Sequence, residues 1–347
     1  MSVVLTRTQN IRPKSNMDKY EFRGSRYGGF NAFYADTNRP GGIVTDDLRM
    51  KFEGNANHST IQTPVFNYDG SISLGAARAI TVSDSENTTT FQTISKTAVV
   101  WGFKIYPAAF QNNEVKVQED FEKKYWKYWN LVYSTLDSLA LAHLNTYKSQ
   151  VFADTLVYSE ASNVINASLA QELRVMGDIG VMLEANDFFD GTTIVGNGGT
   201  QSLISRLAQR GLYNEENNQL QYADKVLHFT NRLSNADGKI ATMYAINDGS
   251  LGFLTGVDRE ALLRTRSKDK GREWDVITDP LYGFKVGSMY YEEDGDYNAI
   301  AGAATADFTS GHAECYQFSF DYGFLSSYNS AIATRAQPIL KLDISAS

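Results

Sequence analysis

Cysteine, histidine, positive charge and long apolar runs are all scarce in this 347-residue sequence, and each shortage excludes a class of protein. The single thiol, Cys315, rules out a disulfide framework within the chain. His312 and Cys315 stand three apart, but no second pair accompanies them, and a structural zinc site needs four ligands. His58, His143 and His228 are scattered, so no metal is expected. Lys and Arg number 32 against 40 Asp and Glu, a net charge of −8. That balance argues against a sequence-independent nucleic-acid binder built on clustered basic residues. The longest apolar runs, such as Ala98 to Phe103, fall far short of the roughly 18 residues of a membrane span. Residues 1–10 lack the charged start and apolar stretch of a signal peptide. Internal repeats of 20–50 residues and low-complexity tracts are missing too.

What the sequence does contain is apolar and aromatic. An apolar fraction of 42% with 21% charged residues excludes wholesale disorder. Aromatics reach 12%, with 20 Tyr, 19 Phe and 4 Trp, more than one globular core requires. Aromatic residues are enriched at protein interfaces, so self-association is expected.

Residues 1–55 are rich in Arg, Asn, Asp and Gly, with Tyr20, Phe22, Tyr27, Phe30, Phe33 and Tyr34 interspersed. Without a helical or strand period, the segment reads as an extended arm that docks on something outside itself. Deleting it is expected to leave a folded chain. Residues 60–106 read as strands. Ile61 to Tyr68 precedes the turn signal Asp69-Gly70, Ser83 to Thr90 suits a loop tip, and Phe91 to Tyr106 forms a strand that stops at Pro107. A long two-stranded excursion is marginal alone and needs a partner surface.

From Asn113 to about Gln150 there is neither Gly nor Pro. Asn113 suits an N-cap, and apolar or aromatic positions recur at Val117, Phe121, Tyr125, Tyr128, Val132, Leu136, Leu139, His143 and Tyr147. This spacing predicts a helix of roughly 55 Å. Trp126 and Trp129 and the lack of an aliphatic a/d seam argue against a coiled coil. Beyond it, Ser168 and Gln171 form a capping-box pattern opening a helix to about Glu184. Thr192 to Val195 reads as a strand, Gln201 to Arg210 as a helix stopped by Gly211, and Val226–Thr230, Ile240–Ile246, Trp274–Ile277 and Tyr282–Tyr291 as strands. Together these predict an α/β lobe. Tyr316 to Phe324 and Ile339 to Ile344 supply late strands.

No catalytic constellation emerges. Gly196-Asn-Gly-Gly199 sits where a phosphate loop would, but lacks the Gly-Lys-Ser/Thr ending. Glu292 to Asp296 lacks EF-hand spacing, Lys268 to Arg272 is a short basic patch, and Cys315 has no nucleophile context. No catalytic, cofactor-binding or metal residue is assigned, and no cofactor is expected.

The order of elements, with Thr97 to Tyr106 running into Asn113 to Phe121, resembles the major capsid proteins of tailed bacteriophages, the shell-protein family of phage HK97. The resemblance implies an α+β, HK97-like fold. Its parts would be an N-terminal arm (1–55), an extended β-hairpin loop (56–100), a peripheral domain (101–165 and 300–347) with spine helix 113–150, and an axial domain (166–299). It further implies a non-enzymatic subunit of an icosahedral shell, self-assembling into pentamers and hexamers around the phage DNA genome. Its partners would be other copies of itself, a portal protein, a separate scaffolding protein, a decoration protein, and packaged double-stranded DNA contacted non-specifically, with no membrane. The site would be the virion capsid, assembled in the host cytoplasm. Interface candidates are Tyr20, Phe22, Tyr27, Phe30, Phe33, Tyr34, Trp126 and Trp129. An encapsulin-like cellular shell is the nearest alternative, and a hydrolase using carboxylates within 166–296 is a remoter one.

Overall fold

In the computed structural model, which describes residues 2–11, 27–54, 60–66, 89–111, 113–207, 225–257, 272–295, 311–327 and 337–345, three helices open the chain. These are α1 (Val3–Gln9), α2 (Gly28–Thr37) and α3 (Asp46–Gly54). Strands β1 (Thr60–Phe66), β2 (Thr89–Ser95) and β3 (Thr97–Ile105) precede the long helix α4 (Glu114–Thr146). Then come β4 (Ser159–Ala161), β5 (Val164–Ser168), α5 (Glu172–Glu184), β6 (Thr192–Gly196) and α6 (Gly198–Leu207). Strands β7 (Lys225–Phe229), β8 (Lys239–Asn247), β9 (Leu251–Gly256), β10 (Glu273–Thr278), β11 (Lys285–Gly295), β12 (Gly311–Ser326) and β13 (Ile339–Ser345) complete the fold.

Helix α4 starts where its cap dictates. The Asn113 side chain accepts the N–H groups of Val115 (3.1 Å) and Lys116 (3.3 Å), two donors that have no partner inside the helix. Its 33 residues span about 50 Å at roughly 1.5 Å per residue. It ends at the C-cap Tyr147, three residues short of the expected Gln150. One face, with Phe121, Tyr125, Trp129, Tyr133 and Leu136, lies on the first sheet. That sheet has the order β10-β11-β12-β3, with β9 also pairing with β12. The 16-residue β12 is its axis, paired to β11, β3 and β9 along different stretches.

The second sheet runs β4-β5-β13-β8-β6-β7. Helices α5 and α6 cover it through Val175, Met176, Ile179, Met182, Leu203 and Ile204, forming a separate apolar core. The capping box opening α5 is present at Ser168 and Gln171. The expected Phe91–Tyr106 strand breaks at Lys96: its first part, β2, pairs with β1 as a two-stranded ribbon, and its second, β3, joins the first sheet. The ribbon is rooted by Ile61 and Ile94 among Leu48, Phe52, Leu254 and Leu325. The Asp69-Gly70 turn and residues 83–88 of the loop tip lie outside the described residues.

Two expectations need correction. The first segment is not an extended arm: α1, α2 and α3 occupy most of its described residues. No one-sided stripe marked α2 because it is buried around most of its circumference. Nor does strand pairing follow the expected segment boundaries. Strand β13 belongs to the second sheet, whereas β9, β10 and β11 join β12 and β3 in the first. Long antiparallel registers decide this, such as Gly287–Gly295 against Ser319–Gly311.

Candidate functional site

Helix α2 is the meeting point of both sheets and the long helix. Gly28 opens it against β7, where a Cβ would strike the Phe229 backbone, so only glycine admits this approach. No side chain of its own caps the helix. The cap comes from α4: Asp137 Oδ1 accepts the Phe30 N–H at 3.0 Å, and the Gly29 N–H also donates to this carboxylate. Its Oδ2 accepts the Thr230 hydroxyl at 2.6 Å and faces Arg232 at 3.5 Å. Burial raises the Asp137 carboxyl above the usual carboxylate range, opposed by these donors.

The far end of α2 is fixed the same way. Buried Asp36 accepts the Leu251 N–H at 3.1 Å, and the Thr37 hydroxyl accepts the Phe253 N–H at 2.6 Å. Arg39 bridges Asp36 to Asp248, whose other oxygen accepts the Thr193 hydroxyl at 2.6 Å. Burial pushes the Asp36 carboxyl up. In between, Phe30 meets Phe253 and Tyr282 edge-on at 4.7 and 4.8 Å, and Phe33 meets Phe324 at 4.8 Å. Tyr34 donates its hydroxyl to the Tyr282 carbonyl.

The aromatic surplus is largely spent inside the chain. Tyr27, Phe30, Phe33 and Trp129 are buried in the main core, and Tyr34 and Trp126 are partly buried against it. The expectation that these side chains wait for a neighbour is therefore corrected for the four buried ones, since this chain's own residues cover them. Tyr20 and Phe22 lie outside the described residues. Trp129 packs on Trp101 at 5.1 Å and on Tyr133 at 5.3 Å, while Phe103 stacks on Tyr128 and Tyr316. Sequence reasoning passed over Asp137, Asp36 and Asp279, although a lone acid within the uncharged second half of α4 was the available signal for the first. Asp279 accepts the Tyr133 hydroxyl and three N–H groups, those of Leu281, Tyr282 and Gly283.

The remaining motifs are structural. A Cβ on Gly199 would collide with the Ile240 carbonyl, and Asn197 Oδ1 accepts the Thr200 N–H at 3.1 Å, so the Gly196–Gly199 loop packs a helix onto a sheet. His143 is packed against Phe33 with Nε2 3.2 Å from Ser326 Oγ, and burial lowers its pKa to about 4. Cys315 is buried, its thiol pushed up to about 11 by desolvation. His312 pairs with Glu292 at 3.5 Å on the surface, and Glu292 to Gly295 form part of β11. Asp296 and residues 268–271 of the basic patch are outside the described residues. Among the described residues, no group of three or more His, Cys, Asp or Glu is arranged to hold a metal, and no helix is long and apolar enough to cross a membrane.

No family model and no curated protein matches the sequence. Solved structures do match. One from Mycobacterium phage Adephagia is 10% identical and aligns over 100% of this chain and 99% of its own, with a TM-score of 0.50. The fold is HK97-like. Two others are a structure from Mycobacterium phage Che8 (9% identity, 96% of each chain, TM-score 0.49) and the capsid of Ralstonia phage GP4 (12% identity, 98% of this chain and 96% of that one, TM-score 0.49). The HK97-like chain thus shares an α+β architecture with a phage protein end to end while sharing almost none of its residues.

Proposed function

We propose that the chain is the structural subunit of a tailed-phage shell, tiling a closed surface in rings of five and six copies around DNA. One observation carries this reading: the HK97-like fold spans the whole chain and keeps a long helix lying across a sheet beside a two-stranded ribbon with little core of its own. A two-stranded ribbon is marginal in water and is stabilised by covering from another surface, which a neighbouring copy supplies in a shell. The parts take these roles: a docked N-terminal segment (1–55), a reaching loop (56–100), a peripheral body on the first sheet and an axial body on the second. A mild negative charge suits a container that holds DNA without gripping it. A portal, a separate scaffolding protein and a decoration protein are the partners this role calls for, with the virion as the destination and the host cytoplasm as the place of assembly.

Negative-stain microscopy of the concentrated full chain, alone and with a co-expressed scaffold, tests the reading. Closed shells, tubes or five- and six-membered rings are expected. Material that stays monomeric under both conditions overturns it.

A further inference from the structure

Helix α5 carries on its outer side two features that fit each other but cannot meet within one chain. Past its C-terminal end, the turn Asn186 to Gly191 adopts a left-handed conformation at Asp187 (φ 66°) and leaves Phe189 75% exposed, the most exposed of the large apolar side chains described. Two exposed acids, Asp187 and Asp190, flank it. The turn is held in place, because Asn186 accepts the Ala153 N–H at 2.8 Å and donates to the Met182 carbonyl. At the other end of α5, Val157, Ala170, Gln171 and Arg174 line a shallow depression. Gln171 fixes its walls by donating to the Val157 carbonyl at 3.2 Å while its Oε1 accepts the Ser168 N–H at 2.9 Å. Val157 is 54% exposed, and the Arg174 guanidinium, 61% exposed, pairs among the described residues with Asp178 of its own helix. Between the two ends the helix exposes Gly177 and Val181, neither of them charged.

We infer that Phe189 of one copy seats in the Val157–Arg174 depression of the next copy, with Asp187 and Asp190 facing Arg174, so that α5 is a head-to-tail contact between shell subunits. The occupant is a second copy because the chain carries both halves: an apolar knob flanked by acids, and a depression that offers the apolar side chains of Val157 and Ala170 beside Gln171 and an arginine. The 13 residues of α5 span about 20 Å, which keeps one chain's knob away from its own depression. Using a different patch on each partner makes the contact heterologous, the type that repeats and closes rings. Knob and depression are both held rigid by hydrogen bonds, which lowers the ordering cost of association. The inference rests on the shell-subunit reading and names which surface joins the copies.

Paired cysteines test it on the full chain, where the one native thiol, Cys315, is buried. Asp190→Cys with Ala170→Cys, which keeps Phe189 and Val157 in place, should oxidise into a reducible ladder of trimers and larger species, while each single substitution gives none above dimer. A second arm uses charge: Arg174→Glu should raise the concentration needed for assembly about tenfold, as loss of an interface anchor does, and adding Asp187→Lys and Asp190→Lys should restore it. If the unsubstituted chain assembles but the double variant forms no species above dimer, the inference is overturned and the shell reading stands. If the unsubstituted chain never assembles, both fall.

Discussion

Asp137 and Thr230 lie 93 residues apart in sequence, yet the hydroxyl of one donates to the buried carboxylate of the other at 2.6 Å. Through Asp137 the long helix, the first docked segment and the edge of the second sheet share one group. Asp137→Ala would deprive the Thr230 hydroxyl and the Phe30 N–H of the carboxylate they donate to, and would take from Arg232 one of its partners, Ser134 remaining. It should cost about 3–5 kcal/mol, the range for breaking a buried charged network. Asp137→Asn, which still accepts a hydrogen bond, should cost less. Urea midpoints decide it, and a loss below about 1 kcal/mol for the alanine variant would show the group to be dispensable.

Removal of residues 1–55 should abolish cooperative unfolding. It takes away Phe30 and Phe33 and uncovers Phe253, Tyr282 and Phe324. This reverses the expectation from sequence that the segment is a detachable arm. A truncated protein melting at the full-length temperature, by circular dichroism, would restore that expectation.

Gly28→Ala forces a methyl into the Phe229 backbone. Overpacking of this kind costs about 1–3 kcal/mol, whereas Gly177→Ala, with open space around it, should slightly stabilise its helix. Opposite signs for the two in one denaturation series are the expected result. Equal losses would argue against a tight α2–β7 approach.

Acid should weaken the fold through His143 and His228, whose pKa values burial lowers to about 4 from 6.5. Between those values the unfolded chain takes up protons that the folded chain refuses, so stability drops as pH falls. At pH 5 each histidine accounts for about 2 kcal/mol. Asp36, Asp137 and Asp279 work in the opposite direction, because their raised pKa values let the folded state hold protons more tightly as pH falls. Comparing the unsubstituted chain with His143→Gln from pH 7 to pH 5 isolates one histidine. The variant should lose less stability over that interval, and identical slopes would place His143 in solvent.

Strong local signals were readable without a structure. The Asn113 cap, the unbroken apolar period behind it and the Ser168–Gln171 box all rest on short-range rules, and they placed α4 and α5 to within a few residues. Strand β9 escaped because Gly252 and Gly256 interrupt its pattern, and α2 escaped because residues on nearly all sides of it are apolar or buried. Asp137, Asp36 and Asp279 could not be found by any local rule. Their partners come from segments remote in sequence, brought in only by the tertiary fold. For the same reason the aromatic surplus pointed outward on composition, while Trp101, Trp129 and Phe318 turn out to cover one another.

The break at Lys96 has a mechanical side. Ribbon strand β2 continues into β3 with a single residue between them, so a pull on the ribbon runs straight down β3. That strand lies antiparallel to β12 from Thr97 opposite Tyr322 to Ile105 opposite Glu314. The load therefore acts in shear, and the cross-strand hydrogen bonds must give way together rather than unzip one by one. A tug on the ribbon is borne by the first sheet as a whole.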